Sequence, residues 1–385
     1  MKAGTVAELT CAGSRGSTHL ADLLKVHDEH AAVLSLYLSM PLDLAELRSA
    51  TRVGDSLVQA AGDGRLADAD RRSVRETLEV HGRDWFGRTV AIFACADRGL
   101  REALPLSTAV PGYELPERAV VASRPHIMPL VAALQWYPAF RVAIVDKRHA
   151  WVFSIPEASV GGANEKTAPD AEEVAKNDFG GWYGLDSWGV QHRVIELARH
   201  HYRELAAMLE EMIRNEGPQP LVIGGHEDGI PEILGCLSQA ARESYAGSFA
   251  ADPHALTPAR VRELAVSVVA AWANRLARRT AAEIGQRPRD GLAAVGVRGC
   301  VAAVNAFAVD QLIAPVDTLV PGFSCGSCGQ LCTTPGCPRC DAPANGLPDL
   351  VNEMACRVLK DGGQVLGSRG EASHLAARLR FPVPS

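Results

Sequence analysis

The densest chemistry in this chain of 385 residues lies near its C-terminus, where five cysteines fall within sixteen residues: Cys325, Cys328, Cys332, Cys337 and Cys340. Cys325/Cys328 and Cys337/Cys340 form two CxxC pairs, each a tight turn from which two thiolates can grip one ion. Gly326, Gly329, Pro335, Gly336 and Pro338 supply backbone suited to such turns. Four ligands leave no open position for a substrate, so the pairs predict a structural Zn²⁺ that staples a loop unable to hold itself. The eight-residue gap between the pairs is shorter than in common zinc modules. An empty thiol cluster and a redox pair are therefore the competing readings, and Cys332 is a spare thiol able to replace one ligand.

The rest of the chain bounds the answer more loosely. It is 47% hydrophobic and 22% charged, ordinary for a soluble globular protein with room for two or three domains. The N-terminus has no continuous apolar run and no stretch approaches a membrane span, so a cytoplasmic protein with no membrane partner is expected. Cys11, Cys95, Cys236, Cys300 and Cys356 lack framework spacing and read as reduced core thiols. A formal charge of −6 argues against wrapping duplex DNA but leaves local basic patches free to meet phosphate.

Periodicity predicts an α/β (α+β) protein in three parts. Residues 1–138 read as an N-terminal α/β domain, with a strand at Val33–Leu38, helices over 44–62 and 68–81, and a strand at Thr89–Ala94. Residues 139–287 read as a middle α/β domain. It opens with a hairpin, Val142–Val145 and Ala150–Phe153, around the polar turn Asp146–His149. A long exposed loop over 156–178 follows, rich in Gly, Ala, Pro and acids with no apolar period, and leads to a glycine loop at 179–193. Next comes a helix whose core face carries Val194, Leu197, Ala198, His201, Leu205, Met208, Leu209 and Met212. Its other face presents His192, Arg193, Glu196, Arg199, His200, Arg203 and Glu204, beside the glycine loop. Leu221–Gly225 is a short buried strand, with helices from Ile230 and from Thr257-Pro258. Residues 288–385 read as a C-terminal α/β domain: a helix over 298–309, a strand near Gln311–Ala314, the zinc knuckle at 325–340 and a helix over 349–360.

Several constellations have plain explanations. His226-Glu227-Asp228 suggests metal ligands or an acid/base pair, but consecutive residues rarely converge on one ion, so a turn before a helix is preferred. Gly224-Gly225 lacks the rest of any phosphate-loop pattern. Ser187 and His192 lack an identifiable acid partner, so a serine hydrolase is unsupported. Arg278 and Arg279, in a helical neighbourhood with Arg275, suit rRNA phosphates and a solvated helix end equally.

Three stretches carry a resemblance to a family: Ala303-Val-Asn-Ala-Phe-Ala-Val-Asp-Gln-Leu-Ile313 with the CxxC knuckle after it, Asp349-Leu-Val-Asn-Glu-Met-Ala-Cys-Arg-Val-Leu-Lys-Asp-Gly-Gly-Gln-Val365, and Ala376-Ala-Arg-Leu-Arg-Phe381. With the hairpin, Gly-Gly loop, basic-faced helix and Leu221–Gly225 strand before them, they make the chain similar to the archaeo-eukaryotic class-one peptide release factors and their Pelota-like cousins, in a bacterial branch. The resemblance implies a three-domain release-factor-like architecture with a zinc knuckle in the third domain. It also implies a tRNA mimic that enters the ribosomal A site, with rRNA, peptidyl-tRNA and a translational GTPase as partners. The N-terminal domain matches least and has no Asn-Ile-Lys-Ser stop-codon motif.

In that family a Gly-Gly-Gln loop promotes hydrolysis of the peptidyl-tRNA ester. A side-chain-free backbone can approach the ester and offer N–H groups to a developing oxyanion. Here the triplet is broken: Gly180-Gly181 is followed by Trp182, and the nearest glutamine is Gln191, in Gly189-Val190-Gln191. The candidate catalytic set carried over is Gly180, Gly181 and Gln191. The candidate RNA-binding set is Trp182, Trp188, His192, Arg193, Arg199, Arg203, Arg278 and Arg279, the tryptophans as stacking surfaces for bases or as packing of the loop on its own domain. The expected function is ribosome binding in rescue, quality control or hibernation. The alternatives are a peptidyl-tRNA ester hydrolase and an RNA-binding or scaffold protein acting off the ribosome.

Overall fold

A computed structural model describes residues 15–27, 32–62, 66–108, 113–136, 138–147, 149–155, 171–176, 187–286, 291–369 and 375–383, with side chains left undescribed at a few of these, among them 171–176, 187–195 and Leu197. The Gly180, Gly181 and Trp182 positions lie outside the described residues. The glycine loop expected over 179–193 is corrected at its end, because the chain is helical from Ser187; Trp188, Gln191, His192 and Arg193 therefore lie on a helix, and their side chains do not belong to what is described. The described residues group into two compact units. One is drawn from Tyr137–Ala158 and Ala163–Trp272, the other from Cys11–Trp136 and Ala273–Ser385.

The N-terminal part begins with helix α1 (Arg15–Lys25). Strands β1 (Val33–Ser39), β2 (Arg88–Cys95), β3 (Leu100–Thr108) and β4 (Arg118–Ala122) form an antiparallel sheet in the order β3-β2-β1-β4. Alternate residues of β1 and β2 (Leu34, Leu36, Leu38; Val90, Ile92, Ala94) share a core with Val58 of α2 (Leu47–Ala61) and Val74 and Leu78 of α3 (Asp68–His81). β1, β2, α2 and α3 match the predicted elements, whereas α1, β3 and β4 have no counterpart among them. Helix α4 (Met128–Trp136) was not anticipated: all nine of its residues are buried, so it has no polar face to give a helical period.

The middle unit is a five-stranded mixed sheet ordered β7-β6-β5-β8-β9, where β5 is Phe140–Val145, β6 His149–Ile155, β7 Ala171–Lys176, β8 Leu221–Gly225 and β9 Tyr245–Ala250. The β5–β6–β7 run is antiparallel, so that β7 forms within the stretch 156–178 expected as a loop, its register set by pairing with β6; β5, β8 and β9 are parallel. Inward residues alternate between two faces. Ala143, Val145, Val152 and Ile223 pack on Ala198, Tyr202, Leu205 and Leu209 of α5 (Ser187–Glu216) and on Ile233 of α6 (Ile230–Cys236). Phe140, Val142, Ile144 and Val222 pack on Val261, Ala265 and Val269 of the long helix from Pro258 to Gly285. Helix α7 (Gln239–Ser244) precedes β9, and the long helix is α8. This is an α/β sandwich. Of the core face read for α5, Ala198, His201, Leu205 and Leu209 are buried and Met208 and Met212 half-buried, while the Val194 and Leu197 side chains lie outside what is described; Glu196, Arg199, His200, Arg203 and Glu204 are exposed.

Gly224 and Gly225 serve strand packing. A Cβ on Gly225 would lie 2.4 Å from the Val145 carbonyl oxygen, and one on Gly224 2.5 Å from Ile144 Cδ1.

The C-terminal part carries a second mixed sheet, β10 (Ala293–Val295), β11 (Val309–Pro315), β15 (Gln364–Ser368) and β16 (Ala376–Leu379), in the order β10-β16-β11-β15. Helices α9 (Gly296–Asn305) and α10 (Leu350–Lys360) accompany it. Helix α9 ends four residues earlier than the pattern predicts, because Phe307 takes a left-handed φ of 56° and the chain turns into β11. Between β11 and α10 sits a three-stranded ribbon, β13-β12-β14, where β12 is Gly322–Cys325, β13 Leu331–Cys332 and β14 Ala344–Leu347. No helix among the described residues is long and apolar enough to cross a membrane.

Candidate metal centre

The ribbon brings both CxxC pairs to one point. The first turn starts at Cys325, the last residue of β12: the Gly329 N–H donates to the Cys325 carbonyl at 2.9 Å, with Gly329 at φ 72°. The second repeats this geometry, since the Asp341 N–H donates to the Cys337 carbonyl at 3.0 Å with Asp341 at φ 55°. Left-handed backbone four residues after the first cysteine closes each turn, which glycine and aspartate tolerate better than most residues.

The Sγ atoms of Cys325 and Cys340 are 3.5 Å apart, those of Cys328 and Cys337 3.4 Å, and those of Cys340 and Cys328 3.6 Å. Disulfide sulfurs sit about 2.0 Å apart. Sulfurs at the corners of a tetrahedron about 2.3 Å from a zinc ion sit about 3.8 Å apart. The cluster matches the second figure within a few tenths of an ångström, so the donor set fits a closed tetrahedral site. Cys325 and Cys337 are buried, Cys328 is half-buried and Cys340 is exposed.

Local donors prepare the thiolates. The Arg339 backbone N–H, with help from the Cys328 thiol, holds Cys337 down to about 6, and the Cys328 backbone N–H lowers Cys325. Cys340 moves the other way, to about 12. The Ala342 N–H favours its thiolate, but hydrogen bonds with the thiols of Cys325, Cys328 and Cys337 outweigh it and keep its proton on. Four adjacent thiols cannot all ionise until a cation neutralises them.

Cys332 stands apart from the tetrahedral set. It is buried beside the cluster, its thiol meets the Gln330 carbonyl at 3.5 Å, and desolvation raises it to about 11. The four-cysteine group is Cys325, Cys328, Cys337 and Cys340, without it.

The remaining candidates are spread out. Arg199 is exposed and bonds Glu196 at 3.0 Å, and Arg203 is exposed on the same face of α5. Arg278 and Arg279 are exposed on α8, with Arg279 bonded to Glu283 at 3.1 Å. Sequence reasoning passed over a second group, Asp146, His149 and His254, which the sheet of the middle unit brings together.

A mixed α/β sheet flanked by helices and a ribbon that gathers four cysteines define an α/β chain with a candidate closed metal centre. More particularly, residues 125–272 match the family model described as bacterial archaeo-eukaryotic release factor family 10. No curated protein matches the chain. Among solved structures it is similar to an archaeal translation termination factor, aRF1 (15% identity, 97% of this chain and 100% of that one, TM-score 0.22). It is also similar to Archaeoglobus fulgidus Pelota (13% identity, 77% and 81%, TM-score 0.35). A third is S. cerevisiae Dom34, described as a translation termination-like factor involved in RNA quality control pathways and interacting with Hbs1 (9% identity, 77% and 81%, TM-score 0.36). These superpositions are loose, and the family-model match is confined to residues 125–272.

Proposed function

We propose that this protein is a cytoplasmic, ribosome-binding translation factor acting at the A site in rescue, quality control or hibernation. The observation that carries this reading is the release-factor family match across the hairpin, the long helix α5 and the parallel strands that follow. In this reading the glycine-bearing stretch ahead of α5, together with the first turns of that helix, reaches the peptidyl transferase centre. Trp182 and Trp188 stack on exposed bases, each contact contributing about 1–3 kcal/mol. His192, Arg193, Arg199 and Arg203 meet rRNA phosphate. The part from residue 288 onward docks on rRNA or a translational GTPase, with Zn²⁺ at Cys325, Cys328, Cys337 and Cys340 holding its ribbon rigid.

A second reading, peptidyl-tRNA ester hydrolysis, draws on Gly180, Gly181 and Gln191. Trp182 after the glycine pair and β-branched Val190 before the glutamine both weigh against it, since the first removes the water-orienting amide and the second narrows the backbone.

Two measurements test these readings. Sedimentation of the endogenous protein through a sucrose gradient, in growth, starvation and stress, places it with 70S ribosomes or subunits if the main reading holds. Absence from all ribosomal fractions assigns it instead to RNA binding or scaffolding off the ribosome. Peptide release from stalled complexes, compared with a Gly181→Ala, Gln191→Ala variant, decides the hydrolase; no release by the wild type rejects it.

A further inference from the structure

In the middle unit β5, β8 and β9 are parallel and in register at their ends, with Val145 opposite Gly225 and Gly225 opposite Ala250. The carboxyl ends of parallel strands, and the turns that follow, are where α/β sheets build ligand sites. Asp146 follows β5, His226 and Asp228 follow β8, and His254 follows β9, while His149 opens β6 across the hairpin turn.

Three of these side chains converge. His254 Nε2 lies 2.7 Å and His149 Nδ1 3.4 Å from Asp146 Oδ2, and the three donor atoms all lie within 4.8 Å of one another. Their side chains are 60%, 22% and 10% exposed respectively, so solvent reaches the group.

The orientation is fixed from behind. The other carboxylate oxygen of Asp146, Oδ1, accepts the His149 backbone N–H at 2.6 Å, which turns Oδ2 toward the imidazoles. Asp252 accepts the His254 backbone N–H at 3.1 Å. The His149 ring stacks on Trp151 at 5.5 Å and 16°, and the His254 ring stands edge-on to both, at 84° and 87°. Donors held by backbone bonds and ring packing lose little freedom on binding an ion.

We propose that Asp146, His149 and His254 form a second metal site, for a divalent transition ion of the Zn²⁺ type. Two imidazoles and one carboxylate suit such an ion, whereas Ca²⁺ and Mg²⁺ take oxygen-rich shells. Three protein ligands leave room in the coordination sphere, unlike the closed cysteine site, and an open sphere takes water or an incoming oxygen ligand. A cleft of about 450 Å³ adjoins it, lined by Asp146 itself with Lys147, Tyr202, His226, Asp228 and Gly229. A ligand with a phosphate or carboxylate oxygen would fit the ion there, with Lys147, 3.8 Å from Asp228, at the same cleft.

Co²⁺ is the probe, titrated into chelator-treated protein and followed by absorption, because it separates the two sites. Thiolate ligation gives near-ultraviolet charge-transfer bands; a site of imidazole and carboxylate gives visible bands alone. A Cys325→Ser, Cys328→Ser variant should keep the visible bands and lose the charge transfer. His254→Ala, at an exposed side chain whose removal opens no core, should keep the charge transfer and weaken the second binding event by more than about tenfold, the lower end of what loss of a mere outer-shell partner costs. Asp146→Asn, which can still cap the turn, should weaken it likewise. Equilibrium zinc content should fall from about two ions per chain to about one in His254→Ala. Circular dichroism of each variant controls for folding. A wild type that binds a single Co²⁺, lost with the cysteines, would overturn the proposal and leave the trio as a hydrogen-bonded cluster. A single ion lost with His254 and kept in the cysteine variant would support it and reject the cysteine site instead.

Discussion

His126 Nε2 lies 3.0 Å from Asp349 Oδ2, a pair 223 residues apart whose side chains are 1% and 4% exposed. The other Asp349 oxygen accepts the Val351 N–H at 3.1 Å as the N-cap of α10 and the Val320 N–H at 3.2 Å. Beside it, the Asn352 amide accepts the Ile127 N–H at 2.7 Å and donates to the Pro125 carbonyl at 3.1 Å. Stretches far apart in the chain thus meet through buried polar groups with specific partners.

Asp349→Ala should therefore be among the most destabilising single changes. It leaves a buried imidazole without its acceptor, which costs about 1–3 kcal/mol, and it removes a cap worth about 1 kcal/mol. Asp349→Asn keeps the cap and should cost clearly less. Urea unfolding checks the pair; a loss under about 1 kcal/mol for the alanine variant would remove the buried contact from the account.

The metal ribbon makes a chemical prediction. With Zn²⁺ bound, alkylation of the native protein should spare Cys325, Cys328, Cys337 and Cys340, and chelation should expose them. Cys300, pushed up to about 12 by burial, and Cys356, raised further by the same cause, should stay unmodified in both states. Peptide mass mapping reads each site, and equal labelling with and without chelator would count against a bound ion.

Gly225→Ala should destabilise by about 2–3 kcal/mol, because the new methyl meets the backbone of β5 and no side chain can yield to admit it. Gly235→Ala, in α6 with open space around it, serves as the control and should be neutral or mildly stabilising. Thermal melts of the two variants should separate by several degrees.

His27 should stay neutral near pH 7. Desolvation, reinforced by the nearby Arg124 guanidinium, holds it below the usual imidazole value. The folded state then binds fewer protons than the unfolded one below about pH 6.5, so its contribution is complete above that value and is lost as pH falls toward the folded-state pKa. His27→Gln should flatten the slope of stability against pH in this acid window while leaving the alkaline side unchanged; an unaltered slope would exonerate this residue.

If the ribosome is the partner, reversing charge at Arg278 and Arg279 should weaken association and lower its salt dependence. Both side chains are exposed, so the fold should tolerate the change. Co-sedimentation across a salt series measures this, and binding that does not change assigns these arginines to helix solvation.

Much of the fold is legible in the sequence wherever one face of an element is wet. The three- and four-residue spacing through Ala198, His201, Leu205 and Leu209 specifies α5, and alternating or continuous apolar runs specify β1, β2, β5 and β8. Helix α4, buried on every side, gave no such contrast, and β3, β4 and β9 are recognised only by their partners.

Cysteine spacing alone selected Cys325, Cys328, Cys337 and Cys340, because a CxxC turn is a local object whose geometry travels with four consecutive residues. Asp146 and His254 became neighbours only through the tertiary structure. Two parallel crossovers separate them, and nothing along the chain records which turns a sheet will line up at one edge until its strands have paired.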